Sequence, residues 1–328
     1  MTQLTRRSLL AGAAGAALAS AALPSISRAA APVAAKQAPG FYRYKVGDYE
    51  ITQLADGART FPMPDGFVAN VAKDQALAAA EAAYIPKGQV TIPFNPMVVN
   101  TGSKLILIDT GNGLGAFEAT KGAVGQTTAN MKAAGIEPDA IDIVLISHFH
   151  GDHIGGLRKA DGSLAYPKAE LKVPAVEWAF WMNDDNQSKA NGFNNAQFAT
   201  VKKIFDGLGD KVTKYEWDKE VAPGITSIGT PGHTPGHTSY AIASGSARVL
   251  VQSDVTNIPA LFLRNPDWHV VFDNDGDLAQ TTRHKFYDMA ATEKATVIGY
   301  HFSFPSVGHV EKDGAGYRLI PAAWNPAI

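Results

Sequence analysis

Apolar residues recur along this chain in short runs whose alternation with polar residues predicts several strands. Residues 41–55 alternate on both sides of Gly47-Asp48, which predicts an opening β-hairpin. Residues 95–111 predict two further strands joined at a tight turn, where Gly102 supplies the permissive backbone. Residues 141–146 are β-branched and almost continuously apolar, and this pattern predicts a buried strand.

Strands and helices are predicted to alternate over the rest of the chain. Helices are expected over residues 127–134 and 277–291, and further strands over residues 224–230, 237–243, 247–253 and 295–300. Hairpins outnumber crossover units, so we predict an α/β protein with mixed sheets. The chain has 328 residues, 45% of them hydrophobic, and no linker divides it. Residues 31–328 are therefore expected to form a single domain.

The first thirty residues differ in composition from the remainder. Arg6-Arg7 is followed by an Ala/Gly-rich apolar stretch to about Leu23 and then by small residues around Arg28. This composition predicts a twin-arginine export signal over residues 1–30 and a periplasmic or secreted protein. The apolar stretch is too short and too weakly hydrophobic for a membrane span, so we expect no stable membrane anchor.

The overall composition excludes several classes of function. The formal net charge is −2, and no block of Lys and Arg is present, which argues against a nucleic-acid partner. The chain has no cysteine, which excludes disulfides, thiolate ligands, iron–sulfur clusters and cysteine nucleophiles. Stability must therefore come from the core and from any bound metal.

One six-residue segment carries most of the candidate chemistry. His148, His150, Asp152 and His153 place four metal-ligating side chains directly after the apolar run 141–146. Three of the nine histidines of the chain fall in this segment. Imidazole and carboxylate ligands favour a borderline divalent metal, with zinc as the first choice and iron, manganese or cobalt as alternatives.

The same local rule finds further ligands, because a metal-ligating side chain follows three other predicted strands. His233 follows residues 224–230, Asp254 follows residues 247–253, and His301 follows residues 295–300. Together with the first segment they complete two coordination shells. The remaining histidines are interpreted as structural or surface residues: His237, His269, His284 and His309.

The spacing His-x-His-x-Asp-His resembles the signature of the metallo-β-lactamase superfamily. The resemblance implies an αβ/βα four-layer sandwich with two mixed sheets and a dinuclear centre at one edge. It also implies a first metal held by His148, His150 and His233, a second held by Asp152, His153 and His301, and Asp254 as the bridging ligand. Of the two Pro-Gly-His sequences at residues 231–237, the first supplies the ligand.

A closer resemblance is to the methyl parathion hydrolase group of exported enzymes. It rests on residues 38–43, 47–52, 100–105, 302–309 and 316–318 and spans most of the chain, from about Pro39 to Pro321. It implies an organophosphate-degrading enzyme and a homodimer. An apolar wall beside a dinuclear centre suits a small neutral substrate, which we expect to be an organophosphate triester, an aryl ester or a lactone. Trp181 and Phe193 match positions that line an apolar pocket in that group.

A dinuclear centre of this kind supplies its own nucleophile. Two metal ions that share a water lower its pKa, so a bridging hydroxide is present at neutral pH. Asp254 would fix the separation of the ions, and Asp152 would orient the hydroxide, as the resemblance implies. Asp109 either anchors a ligand histidine or opens a Thr-Gly turn.

Four other classes of protein compete with this interpretation. An acyl-homoserine lactonase of this superfamily usually carries tyrosine three residues after the bridging aspartate, where this chain has Asn257. A β-lactamase is disfavoured by the complete shell around Asp254. A diiron redox protein would carry Glu in place of His150, and a noncatalytic relative would have lost at least one ligand.

Overall fold

The central strands carry apolar side chains on both faces, and the structure buries both faces. This computed structural model describes residues 37–190 and 192–328, without the side chain of Phe193. Ile106 and Ile108 point into a core between two sheets. Leu107, between them, points to the opposite face and packs under helices. A strand covered on both faces has no polar side, which explains its continuous apolar run.

The strands alternate with turns along the whole described chain. Their ranges are β1 (Phe41–Val46), β2 (Tyr49–Leu54), β3 (Gly57–Pro62), β4 (Gln89–Phe94), β5 (Met97–Asn100), β6 (Leu105–Ile108), β7 (Ile143–Leu145), β8 (Glu170–Pro174), β9 (Val212–Tyr215), β10 (Glu220–Ala222), β11 (Ile225–Gly229), β12 (Thr238–Ser244), β13 (Ala247–Ser253), β14 (Thr296–Gly299), β15 (Val307–Asp313) and β16 (Gly316–Pro321).

The helices lie between these strands, and most are short. Their ranges are α1 (Lys73–Ala82), α2 (Gly113–Ala119), α3 (Thr127–Ala133), α4 (Gly151–Ile154), α5 (Ala175–Trp181), α6 (Asp184–Lys189), α7 (Gly192–Phe205) and α8 (Gly276–Thr292). A π-helical turn covers Pro259–Leu263. Among the helices of the described residues, none combines the length and the apolar character that crossing a membrane requires.

Two seven-stranded mixed sheets form the centre of the fold. The first has the order β1-β2-β5-β6-β7-β8-β9, and the second has the order β10-β11-β12-β13-β14-β15-β16. Strands β6 to β9 pair in parallel, as do β13 and β14, while the other neighbours are antiparallel. The prediction of an α/β protein with mixed sheets is confirmed.

Helices cover the outer face of each sheet. Met131 of α3, Trp181 of α5 and Phe198 of α7 pack against the first sheet. Phe286 and Tyr287 of α8 pack against the second. The resulting order of layers is helix, sheet, sheet, helix, as the resemblance implied. The elements predicted over 127–134 and 277–291 are the helices α3 and α8, while the predicted export signal lies outside the described residues.

A separate hairpin, formed by β3 and β4, belongs to neither large sheet. It packs with α1 and the π-helical turn into a cluster of its own, which includes Phe67, Phe94 and Phe262. This hairpin was not predicted from the sequence. It matters because its strands lie beside the edge at which the predicted ligands gather.

The packing of the central strand leads to a stability prediction. Leu107 is fully buried. Leu107→Ala should lower the free energy of unfolding by about 2–5 kcal/mol, because it removes buried methyl groups and leaves a cavity. Leu114→Ala is the control, since Leu114 is 42% exposed and its loss should change stability by about 0.5 kcal/mol or less. Equal effects in urea denaturation would contradict this description of the core.

Candidate metal centre

The carboxyl ends of strands from both sheets meet at one edge of the fold. The segment from His148 to His153 follows β7 of the first sheet, and His233, Asp254 and His301 follow β11, β13 and β14 of the second. Strands β13 and β14 run parallel, so their carboxyl ends lie side by side. Strand ends are rigid supports, which suits a site that needs fixed distances between ligands.

The backbone of the first segment presents its side chains in one direction. His150 has extended dihedral angles, φ −67° and ψ 151°, and precedes α4. Asp152 and His153 lie in this short helix, and the His153 N–H donates to the His150 carbonyl at 3.0 Å. A strand end followed at once by a helical turn therefore brings four ligating side chains to one point.

Three imidazoles form a first group. His148 Nε2 lies 3.1 Å from His150 Nδ1, which lies 2.9 Å from His233 Nε2. Two nitrogens bound to one tetrahedral zinc at about 2.0–2.1 Å are themselves about 3.3 Å apart, so this spacing fits a shared ion. Burial lowers the pKa values of His148 and His150 well below 6.5, which keeps these rings neutral and their lone pairs available.

Asp152, His153 and His301 form a second group. Asp152 Oδ2 lies 3.4 Å from His153 Nε2 and 3.6 Å from His301 Nε2. Asp254 lies between the two groups, with Oδ2 3.3 Å from His233 Nε2 and Oδ1 3.3 Å from His153 Nε2. Because one carboxylate contacts both groups, Asp254 has the position that a bridging ligand needs.

The chemistry of these donors calls for positive charge between them. His153 Nε2 and Asp254 Oδ1 are buried, face each other and lack a hydrogen-bond partner. Burial by itself lowers the pKa of His153, but the charges of Asp254, Asp152 and Asp109 raise this pKa well above 6.5. Either a proton or a metal cation can balance the negative charge of these buried carboxylates. A divalent ion balances the charge of several carboxylates at once. The residues present therefore fit two divalent metals.

Each of three ligand histidines has a further partner on its other ring nitrogen. Asp109 Oδ2 accepts from His153 Nδ1 at 2.8 Å, so Asp109 lies where the anchoring interpretation placed it. Asp273 Oδ1 lies 2.8 Å from His233 Nδ1, and the Pro93 carbonyl accepts from His301 Nδ1 at 2.8 Å. Such partners fix ring orientation and tautomer. Asp273 was not predicted from the sequence, because it lies in the loop before α8 and follows none of the predicted strands.

His237 has a supporting position next to the centre. Burial lowers its pKa to about 3, so the ring is neutral. Its Nδ1–H donates to the Thr230 carbonyl at 3.0 Å, and its Nε2 accepts the backbone N–H of Asp254 at 3.0 Å. His237 thus holds Asp254 in place through its backbone. The three other histidines lie outside the cluster and bond to Gln280, Asp267 and the Ala295 carbonyl: His269, His284 and His309.

The two glycines of the repeated Pro-Gly-His sequence permit close approach to two helices. Gly232 has φ +130°, and a Cβ there would lie 2.3 Å from the Ala279 nitrogen of α8. A Cβ at Gly236 would lie 2.1 Å from the Glu177 nitrogen of α5. Both distances are too short for any side chain, so the loop that carries His233 packs directly against α8 and α5.

The cluster lines one side of a cavity of about 940 Å³. His150, Asp152, His233, Asp254 and His301 contribute to this side, and Asn257 lies next to them. Much of the remaining lining is apolar, and it includes four phenylalanines from the β3–β4 hairpin and from two loops: Phe61, Phe67, Phe94 and Phe272. The aromatic wall thus comes from segments that the sequence analysis had not singled out.

The two pocket residues predicted from the sequence are Trp181 and Phe193. Trp181 is fully buried in the core beneath α5, its Nε1–H donates to Glu177, and it does not line the cavity. Trp181 therefore lies behind the cavity wall, 6.3 Å from the His150 ring between centroids, and its predicted place in the wall is wrong. The side chain of Phe193 lies outside the described residues.

Fold and site together define a dinuclear metal-dependent hydrolase. The sequence profile of the metallo-beta-lactamase superfamily matches residues 94–301, and the chain belongs to that superfamily. It is 26% identical to the N-acyl homoserine lactonase AiiA of Bacillus thuringiensis subsp. kurstaki, over 68% of this chain and 86% of the relative.

Two solved structures share most of the fold. One is AidC, described as a dizinc quorum-quenching lactonase and solved with a product, at 27% identity and a TM-score of 0.80, covering 87% of this chain and 98% of AidC. The other is the hydrolase AbOPH of the beta-lactamase superfamily, at 29% identity and a TM-score of 0.80, covering 88% of this chain and all of AbOPH.

The geometry of the first group predicts a change in metal content. His150→Ala should lower the metal content from about two ions per chain to about one, because the first group loses one of its three imidazoles. Elemental analysis after gel filtration measures this ratio. His309→Ala is the control, since His309 is exposed and outside the cluster, and it should keep both ions. Two ions retained by His150→Ala would contradict the assignment.

Proposed function

We propose that this protein uses two zinc ions to hydrolyse lactones and related neutral, hydrophobic esters. The observation that carries the proposal is Asp254, which contacts both ligand groups at the inner surface of an apolar cavity. We assign the first ion to His148, His150 and His233, and the second to Asp152, His153 and His301. The dizinc centre named for AidC supports zinc as the metal.

The chain's own residues prepare the site for attack on an ester. When bound, two divalent ions lower the pKa of water and polarise the oxygen of the scissile group. Asp152 lines the cavity, and its side chain is 22% exposed. Burial by itself raises the pKa of Asp152, but the charges of His153 and His301 help to lower this pKa to about 2. Asp152 is therefore an ionised acceptor at neutral pH, able to orient the attacking water by a hydrogen bond.

The cavity favours a neutral substrate with apolar bulk. Its volume lies in the range of about 300–1,000 Å³ that is usual for small-molecule sites. The phenylalanines of the wall offer apolar contact area, and Arg59 is the arginine among the residues that line the cavity. The lactonase activity named for the relatives supports a lactone. Asn257, in place of the expected tyrosine, favours lactones in general over acyl-homoserine lactones in particular.

Organophosphate triesters are the second candidate. A phosphotriester is neutral, and its aryl leaving group would pack against the same aromatic wall, especially Phe94 and Phe272. The segments that resemble the methyl parathion hydrolase group support the same substrate class. A phosphoryl oxygen can also take the place of the ester carbonyl at the metal centre.

A kinetic panel tests the substrate class. We expect the highest kcat/KM for an aryl δ-lactone such as dihydrocoumarin, lower values for paraoxon, p-nitrophenyl acetate and an acyl-homoserine lactone, and no turnover of a cephalosporin. Phe272→Ala should lower kcat/KM for dihydrocoumarin about two- to tenfold, the range expected for one lost aromatic contact. Trp324→Ala is the control, because Trp324 is 75% exposed and does not line the cavity. Preference for the cephalosporin would refute the proposal.

We also propose export by the twin-arginine route to the periplasm or the medium, with loading of metal before transport. The support is the composition of residues 1–30. Replacing Arg6 and Arg7 together by lysine should retain the full-length chain in the cytoplasm, as measured by fractionation and immunoblotting. Unchanged export of that variant would show that the pair does not direct transport.

A further inference from the structure

Glu177 is a fully buried carboxylate of α5 that no step of the proposed chemistry uses. Its Oε1 accepts from the Phe149 backbone N–H at 2.9 Å and from Trp181 Nε1–H at 2.6 Å. Its Oε2 accepts from the Thr234 hydroxyl at 2.8 Å and from the Gly236 backbone N–H at 2.8 Å. Both oxygens are therefore saturated by donors.

These donors come from the two loops that hold the first metal group. Phe149 lies between His148 and His150, after strand β7 of the first sheet. Thr234 follows His233, after strand β11 of the second sheet. One carboxylate thus ties together two loops that belong to different sheets. The contact at Gly236 leaves no room for a side chain, so the second loop lies directly on the first turn of α5.

The second metal group has different supports. Among the described residues, Asp109 and the Ser147 hydroxyl lie at His153 Nδ1 and the Pro93 carbonyl lies at His301 Nδ1, and neither ring is bonded to Glu177. The hydrogen bonds of Glu177 therefore reach the two loops of the first group and neither histidine ring of the second. A contact that only stabilised the core would change the metal affinity of both groups to a similar extent.

We propose that Glu177 is a positioning residue that sets the spacing between the histidine pair His148/His150 and His233, and thereby the affinity of the first metal group. The inference rests on the proposed ligand assignment but not on the proposed substrate. Three of its four donors are N–H groups that cannot act as acceptors. A glutamine at this position would turn an NH₂ group toward one pair of donors, so the loops would move apart even though the side chain has nearly the same size.

The test is a metal titration of Glu177→Gln. Apoprotein of the full chain is titrated with Zn²⁺ against a chromophoric chelator, and separately with Co²⁺ while visible absorption is recorded. We expect one of the two zinc dissociation constants to rise about 10- to 100-fold, the usual effect of losing an outer partner of a metal ligand. The other should change less than threefold, and the cobalt bands of the weakened site should shift.

Asp56→Asn is the matched control. Asp56 is also fully buried and accepts five hydrogen bonds, but from Asn112, Gly125 and Thr127, which are not adjacent to any ligand. This variant should lose thermal stability, as Glu177→Gln should, while both zinc constants stay within threefold of the wild type. Stability alone therefore does not separate the two roles, whereas metal affinity does.

Several outcomes would overturn the inference. They are unchanged zinc constants in Glu177→Gln, an equal loss at both sites, and the same selective loss in Asp56→Asn. If Glu177→Gln does not fold, Trp181→Phe and Thr234→Val each remove one donor and leave the carboxylate in place. Each should weaken one zinc site selectively, and no effect in either would also refute the proposal. A wild-type chain that binds fewer than two ions would refute the ligand assignment itself, before any variant is compared.

Discussion

Negative charge buried between two sheets is the constraint around which this structure is arranged. Asp254 and Asp109 are almost completely buried, and Asp152 and Asp273 lie in the same network with little exposed side-chain area. Isolated carboxylates in such surroundings would be strongly destabilising. They persist here because imidazoles, backbone N–H groups and the space for two cations lie among them. Metal binding therefore contributes to the free energy of folding.

The scaffold meets this constraint by placing the ligands at strand ends and then bracing the loops. The strands are fixed by apolar packing on both faces, so their carboxyl ends have little freedom to move. The loop of His233 is held by close contacts of Gly232 and Gly236 with two helices. Glu177 connects that loop to the backbone of the first segment. Ligand spacing is therefore fixed by packing around the loops, as preorganised catalysis requires.

The cavity wall and the metal centre belong to different parts of the fold. The metal ligands follow strands of the two large sheets, whereas much of the wall comes from the β3–β4 hairpin and residues near Phe272. That hairpin has its own apolar cluster with α1. Substitutions in the wall can accordingly change the substrate that fits, while the ligand distances stay fixed by the sheets. This separation agrees with a superfamily whose members share a centre but differ in substrate.

The sequence by itself determined the strands that carry the metal ligands, the class of fold and the seven side chains that the structure brings together. It could do so because a run of apolar residues shows where a strand ends, and parallel strands place their carboxyl ends at one edge. Only the tertiary structure decided the partners of those side chains. Glu177 and Asp273 act across long distances in sequence, and no local pattern distinguishes a buried acid from a solvated one. Trp181 was misplaced because an aromatic pattern does not say whether a ring faces the core or the cavity, which depends on the layers that pack around its helix.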